Sequence, residues 1–282
     1  MPDGKPYDRN DFIKTFSNIA QHQHRYEVFR DFVTMSAISL HNAVNKNDEM
    51  EQEYLQIVGQ YKKEEVSDFC KLLAILVDLL EPEPRDVLVL GGLYMELELG
   101  NNNTGQFFTP PEISLMMAKI SYGDQLKNLE QYVTLSEPAC GAGGMVLAFV
   151  SVMLSHKHNP AEKLWVQCID VDRLAAMMCY LQLSLWHVPA EIIIGNTLTM
   201  EFRQTLYTPA HYMGSWDRRF ARPASKIFTD ASTSATNPKN PDINPAAWIP
   251  TANRAPTTMT DDMTLVTDIN GVCSAWVTFQ TT

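Results

Sequence analysis

The chain has 282 residues, 45% of them hydrophobic and 20% charged, a balance that suits a folded globular protein and excludes a disordered or fibrous one. Its net charge of −11 excludes a surface coated with basic residues and leaves room only for a local basic face toward nucleic acid. No run reaches the roughly 18 uninterrupted apolar residues of a membrane span, and the polar start is no signal peptide, so a cytoplasmic chain without a membrane partner is expected.

Apolar residues recur at spacings of three and four through residues 8 to 80, as in Phe12, Phe16 and Ile19, then Tyr26, Phe29, Phe32 and Val33. Val66, Phe69, Leu72, Leu73, Leu76 and Leu79 continue the pattern until Glu81-Pro82-Glu83-Pro84 stops it. Helical spacing resumes over Asp86 to Leu99 and ends at Gly100-Asn101-Asn102-Asn103. Residues 1–104 are therefore read as a helical subdomain. A helix through Ile113, Met116, Met117 and Ile120 precedes a strand at about 132–136 and a helix from Gly144 to about His156. Then come a strand from Leu164 to Ile169, a helix from Arg173 to Trp186 and a strand from Glu191 to Ile194. This alternation predicts an α/β domain with a mostly parallel sheet over residues 105–222. Residues 223–282 are rich in Thr, Pro and Asn, and end in a predicted β-hairpin from Met263 to Thr267 and Val272 to Phe279 about Asn270-Gly271.

The candidate site follows the first strand, in Glu137-Pro138-Ala139-Cys140-Gly141-Ala142-Gly143-Gly144. Glycines there let the backbone turn sharply and approach a ligand at the amino end of a helix. Asp170 closes the second strand, where a carboxylate accepts hydrogen bonds from the two ribose hydroxyls of a nucleoside, and Asp172 suits the cap of the next helix. Asn196 ends the third strand and is read either as an adenine contact or as a turn residue after Gly195. The Gly-x-Gly-Gly spacing departs from the Gly-x-Gly-x-x-Gly of dinucleotide dehydrogenases. Five cysteines, an odd number without a Cys-x-x-Cys pair, argue against both a disulfide framework and a zinc site, the histidines show no shared metal spacing, and no metal is expected. Arg203, Arg218, Arg219, Arg222 and Lys226, opposed by Glu201 and Asp217, form the late basic-leaning stretch, read either as a DNA contact through Arg218, Arg219 and Arg222 or as a solvated surface.

The glycine-rich motif, taken with Gly105-Gln106-Phe107-Phe108-Thr109-Pro110 ahead of it, resembles the adenine-specific DNA methyltransferases of the type I restriction-modification class. The resemblance covers roughly residues 85 to 200. It implies a Rossmann-like methyltransferase fold and S-adenosylmethionine as cofactor. It assigns the methionine part of that cofactor to Glu137, and a covering contact on its carboxylate to Phe108 and Thr109, with Pro138, Cys140, Gly141 and Gly143 forming the cradle. DNA is the implied partner, with a separate specificity subunit or a second copy of the chain supplying what this sequence does not.

The family's Asn/Asp-Pro-Pro-aromatic tetrapeptide, which binds the target amine, has no counterpart here. Two segments stand as substitutes: Thr208-Pro209-Ala210-His211-Tyr212, ending in an aromatic, and Asn244-Pro245-Ala246-Ala247-Trp248. Asn244, Pro245 and Tyr212 are accordingly the catalytic candidates. The expected activity is methyl transfer to the exocyclic amine of adenine. The alternatives are a cofactor-binding relic acting as an interaction or anti-restriction module, and a methyltransferase for a small molecule or protein.

Overall fold

The computed structural model describes residues 7–80, 89–97, 99, 108–122, 129 and 131–221, and the backbone of the strands at 263–267 and 273–278. Four helices open the chain: α1 Arg9–Asn18, α2 Arg25–Val44, α3 Asp48–Val58 and α4 Lys63–Leu80. Each of the first three begins where a side chain satisfies first-turn N–H groups. Asp8 and Asp11 form a reciprocal capping box, and His24 and Asn47 cap the next two. Their apolar stripes meet in an aromatic cluster of Phe12, Phe16, Phe29, Phe32 and Phe69, with rings edge-on or stacked at centroid distances of 5.8 to 6.5 Å.

The short helix α5 (Val89–Glu96) and helix α6 (Pro111–Tyr122) lead into the α/β part. There β1 (Val133–Glu137), α7 (Gly144–Ser155), α8 (Pro160–Lys163), β2 (Leu164–Asp170), α9 (Arg173–Leu185) and β3 (Ala190–Asn196) follow in order. β1 pairs parallel with β2, and β2 with β3. This is the Rossmann-like βαβαβ arrangement, and it brings Glu137, Asp170 and Asn196 to one edge of the sheet, at the carboxyl ends of three adjacent strands. Helix α9 is buried on every side from Leu174 to Ser184, because α2 packs against the face that the sheet does not cover.

A further strand, β4 (Glu201–Tyr207), folds back antiparallel on β3. The sequence reading assigned no strand here. The alternation of Phe202, Gln204 and Leu206 with Arg203, Thr205 and Tyr207 was the available signal, weakened because an edge strand buries little. Gly195 makes the hairpin possible: a Cβ there would stand 2.5 Å from the Glu201 carbonyl oxygen, and the register shifts at that point. Two short helices, α10 (Pro209–Met213) and α11 (Trp216–Ala221), complete this part. The backbone of β5 (Met263–Thr267) and β6 (Cys273–Thr278) forms the expected antiparallel hairpin, and β6 pairs antiparallel with β1. The sheet order is β4-β3-β2-β1-β6-β5, so a parallel centre is flanked on both sides by antiparallel strands.

Candidate functional site

The chain between β1 and α7 is tied at nearly every peptide. The Cys140 amide donates to the Ile169 carbonyl at 2.9 Å, extending the β1–β2 pairing past the strand. The Gly141 amide donates to Asp170 Oδ2 at 2.8 Å, and the Gly143 amide to the Cys140 carbonyl at 2.8 Å. Thr197 Oγ1 donates to the Pro138 carbonyl at 2.7 Å, and Gln182 Nε2 to the Ala142 carbonyl. Gly141 and Gly143 both take positive φ, +53° and +88°, which other residues adopt only with strain. A turn fixed this way is preorganised, so little conformational entropy is lost when a ligand settles on it.

Glu137 is the most perturbed side chain of the site. It is wholly buried at the end of β1, with Oε1 accepting from the Ala139 amide at 3.3 Å and Oε2 lacking any partner among the described residues. Burial raises its pKa to about 8; the Ala139 bond opposes this, and the nearby Asp170 carboxylate adds to it. A buried acceptor left in this state suits a cationic group that brings its own hydrogens, as the amino group of a methionine moiety does. Asp170 is also raised, chiefly by burial, although its two oxygens accept from Gly141 and Asp172 amides at 2.8 Å each. A third backbone bond, from Val171, also acts on the carboxylate, which leaves a lone pair for a hydroxyl. Asp172 caps α9 by accepting from Leu174 at 2.9 Å, the division of roles its position suggested.

Phe108 lies over the turn: a Cβ added to Gly141 would meet its ring at 3.2 Å. The ring also packs edge-on against Tyr94 of α5, at 5.8 Å between centroids. Tyr94's phenol pKa is raised by burial and by neighbouring Tyr26 and Asp172, so the helical region stands beside the α/β site. Thr109 is exposed beside Phe108, and residues 105–107 lie outside the described residues. Asn196 Oδ1 accepts from the Leu198 amide at 2.9 Å and the Thr199 amide at 3.3 Å, as a turn residue does. Its amide nitrogen is left for other contacts.

Other candidates fall elsewhere. Tyr212 sits on α10, at the amino ends of the parallel strands, where its hydroxyl accepts from Asn45 Nδ2 at 2.9 Å. The length of strand β2, about 20 Å, separates that end from Asp170. The segment before it closes the β3–β4 hairpin: Thr208 Oγ1 accepts from the Ala190 amide at 2.9 Å and donates to the Val188 carbonyl at 2.7 Å. His211 is buried there, accepting from the Trp165 indole at 3.1 Å and facing Asp217 at 3.3 Å. Arg219 lies 4.2 Å above the Trp216 ring and donates to the Glu162 carbonyl at 3.0 Å, so its guanidinium is engaged at the same far end. Arg218 is exposed there. Arg222, Asn244 and Pro245 lie outside the described residues.

Two contributors escaped sequence reasoning. Gln182, buried in the middle of α9, bonds the glycine turn with its nitrogen and accepts from the Leu90 amide of α5 at 3.0 Å with its oxygen. Its only signal was an amide among apolar neighbours. The second is a cluster: the sulfur atoms of Cys140, Cys168 and Cys179 lie within 4.8 Å of one another, all buried. For Cys140 the hydrogen bond with Cys168 lowers the pKa, but the bond with Cys179 and burial outweigh it, leaving a thiol. Elements far apart in sequence bring these residues together, so spacing could not reveal them.

The chain matches the family model described as N-6 DNA methylase over residues 95–236, half of its length. No curated protein matches it. Among solved structures, a Listeria monocytogenes protein assigned as a class I S-adenosylmethionine-dependent methyltransferase is similar at 14% identity, with a TM-score of 0.34. That likeness covers 64% of this chain and 51% of the Listeria chain, so the chain spans about half the length of that relative. No described helix is long and apolar enough to cross a membrane. The matched segment holds β1, the glycine turn, Asp170 and Asn196, and on it the chain belongs to the N-6 DNA methylase family, whose cofactor is S-adenosylmethionine.

Proposed function

We propose that this protein transfers a methyl group from S-adenosylmethionine to the exocyclic amine of adenine in DNA, as a modification enzyme of the restriction-modification or plasmid and phage kind. The observation that carries the reading is Glu137, a buried carboxyl with one oxygen unpartnered among the described residues, set between a glycine turn and Asp170 at the carboxyl end of β1. In this reading Glu137 holds the amino group of the cofactor, Asp170 accepts from the ribose hydroxyls, and Asn196 reaches the adenine of the cofactor with its amide nitrogen. Phe108 and Thr109 cover the methionine end. Pro138, Cys140, Gly141 and Gly143 supply the shaped backbone. The bound cofactor supplies a methyl group already activated on a sulfonium, so the chain's task is positioning rather than covalent catalysis.

The target base must be turned out of the duplex to reach such a pocket. No Asn/Asp-Pro-Pro-aromatic tetrapeptide is present to receive it, and the strand beside β1 is the antiparallel β6 rather than a fourth parallel strand. That observation favours a second reading, a cofactor-binding module without turnover of its own that works with a partner. With a net charge of −11, contacts to phosphate are supplied by a local face or by a specificity subunit.

The test pairs transfer of a labelled methyl group to unmethylated DNA with a cofactor-binding titration. Label recovered in N6-methyladenine supports the enzyme. Binding without transfer supports the module, and absence of binding removes both readings.

A further inference from the structure

Behind the glycine turn, three thiols converge from three elements: Cys140 from the turn, Cys168 from β2 and Cys179 from the middle of α9. We infer that Cys140, Cys168 and Cys179 form a binding site for a soft, thiophilic divalent metal ion, held by the three sulfur atoms. Their mutual separations, all within 4.8 Å, approach the spacing such coordination requires. Metal–sulfur bonds of about 2.3 Å place three sulfurs in one plane about 4 Å apart, so the cluster contracts by less than about 1 Å on loading.

The donor set decides the kind of ion. Three sulfurs and no imidazole select soft metals over magnesium or calcium, which require oxygen ligands. Charge decides the valence. Two positive charges leave the buried three-thiolate site at a net charge of about −1, where one would leave about −2. On binding, the ion takes the place of the thiol protons, which pass to solvent, and no bond is oxidised or reduced.

The position gives the site a consequence. Cys179 Sγ lies 3.0 Å from where a Cβ of Gly143 would be, and Cys140 is the residue before Gly141, whose amide holds Asp170. An ion at the cluster would tie the turn to β2 and α9. The entry route is the turn itself, since Cys140 is the one cysteine of the three not fully enclosed.

The probe is Cd2+, added without oxygen to the full chain reduced by a phosphine. We expect a sulfur-to-cadmium absorption band that saturates at one equivalent, and a raised unfolding midpoint. Both should persist in C70S and C273S and vanish in C140S, C168S and C179S. A band that survives in the cluster variants, or one that never forms in the wild type, overturns the site. Because a cluster variant can fail to fold, X-ray absorption at the cadmium edge of the loaded wild type is the second measurement. A shell of three sulfur neighbours supports the site; a shell of oxygen and nitrogen overturns it. Neither reading depends on methyl transfer, so the result stands apart from the proposed activity.

Discussion

Glu137 concentrates the chemistry of the site in one side chain, and its environment has a consequence for pH. Its folded-state pKa, about 8, lies above the ordinary carboxyl value because burial disfavours the charged form. A raised carboxyl contributes stability fully below the unfolded pKa of about 4.3, and that contribution is lost as pH rises through 8. Between about pH 4.5 and 8 the ligand-free protein should therefore lose stability relative to Glu137→Gln, by a few kcal/mol at most. Urea unfolding of both proteins across that window measures it, and parallel pH profiles would show that Glu137 is ionised and compensated. Gly143 is the second residue whose identity is forced. Its φ of +88° and the 3.0 Å approach of Cys179 Sγ to a built Cβ combine strain with a clash. Gly143→Ala should cost about 1 to 3 kcal/mol, measured as a shift of the urea midpoint; an unchanged midpoint would mean that the turn relaxes freely.

Between elements, the connections that matter run through side chains sequence periodicity does not single out. Gln182 joins α5, α9 and the glycine turn in one buried bridge. Replacing it with leucine of similar bulk leaves the Leu90 N–H and the Ala142 carbonyl unsatisfied in the interior, at about 1 to 3 kcal/mol for each group. Gln182→Leu should thus lower stability by about 2 to 6 kcal/mol. Faster hydrogen exchange at the Leu90 amide is the local signature, and protection equal to wild type would refute the bridge. Asn45, by contrast, ties α10 to the end of α2 through Tyr212, far from the carboxyl edge of the sheet. That bond places Tyr212, one of the catalytic candidates in the sequence, at a contact between elements.

Across the whole molecule, the hydrophobic core runs without a break from Phe12 in α1 through α9 to Leu206 in β4. The Arg173–Glu53 ion pair, at 2.8 Å, spans the same boundary, though half-exposed pairs of this kind add little. A continuous core predicts that the helical region and the α/β region unfold together. Tryptophan fluorescence, whose five sources all lie from Trp165 onward and none in α1–α4, should report the same urea midpoint as far-ultraviolet circular dichroism, to which α1–α4 contribute strongly. An earlier circular dichroism transition would instead make residues 1–104 an independent subdomain.

The amino-acid sequence by itself determined the longer helices and the three parallel strands between Arg9 and Asn196, though not α3 or α8, because each of those it found has a period or a cap that is local. It also placed Glu137, the glycine turn and Asp170 at strand ends, since strand termini and glycine spacing are read over a few neighbouring residues. Only the tertiary structure decided what those residues meet. Burial left one oxygen of Glu137 without a partner among the described residues, the fold-back of β4 placed Tyr212 and Arg219 at the opposite end of the sheet, and packing of α9 brought Gln182 and three cysteines to the turn. The physical reason is range. Periodicity and capping act within a few residues along the chain, whereas desolvation, hydrogen-bond satisfaction and thiol proximity depend on groups that are distant in sequence and adjacent only once the core has formed.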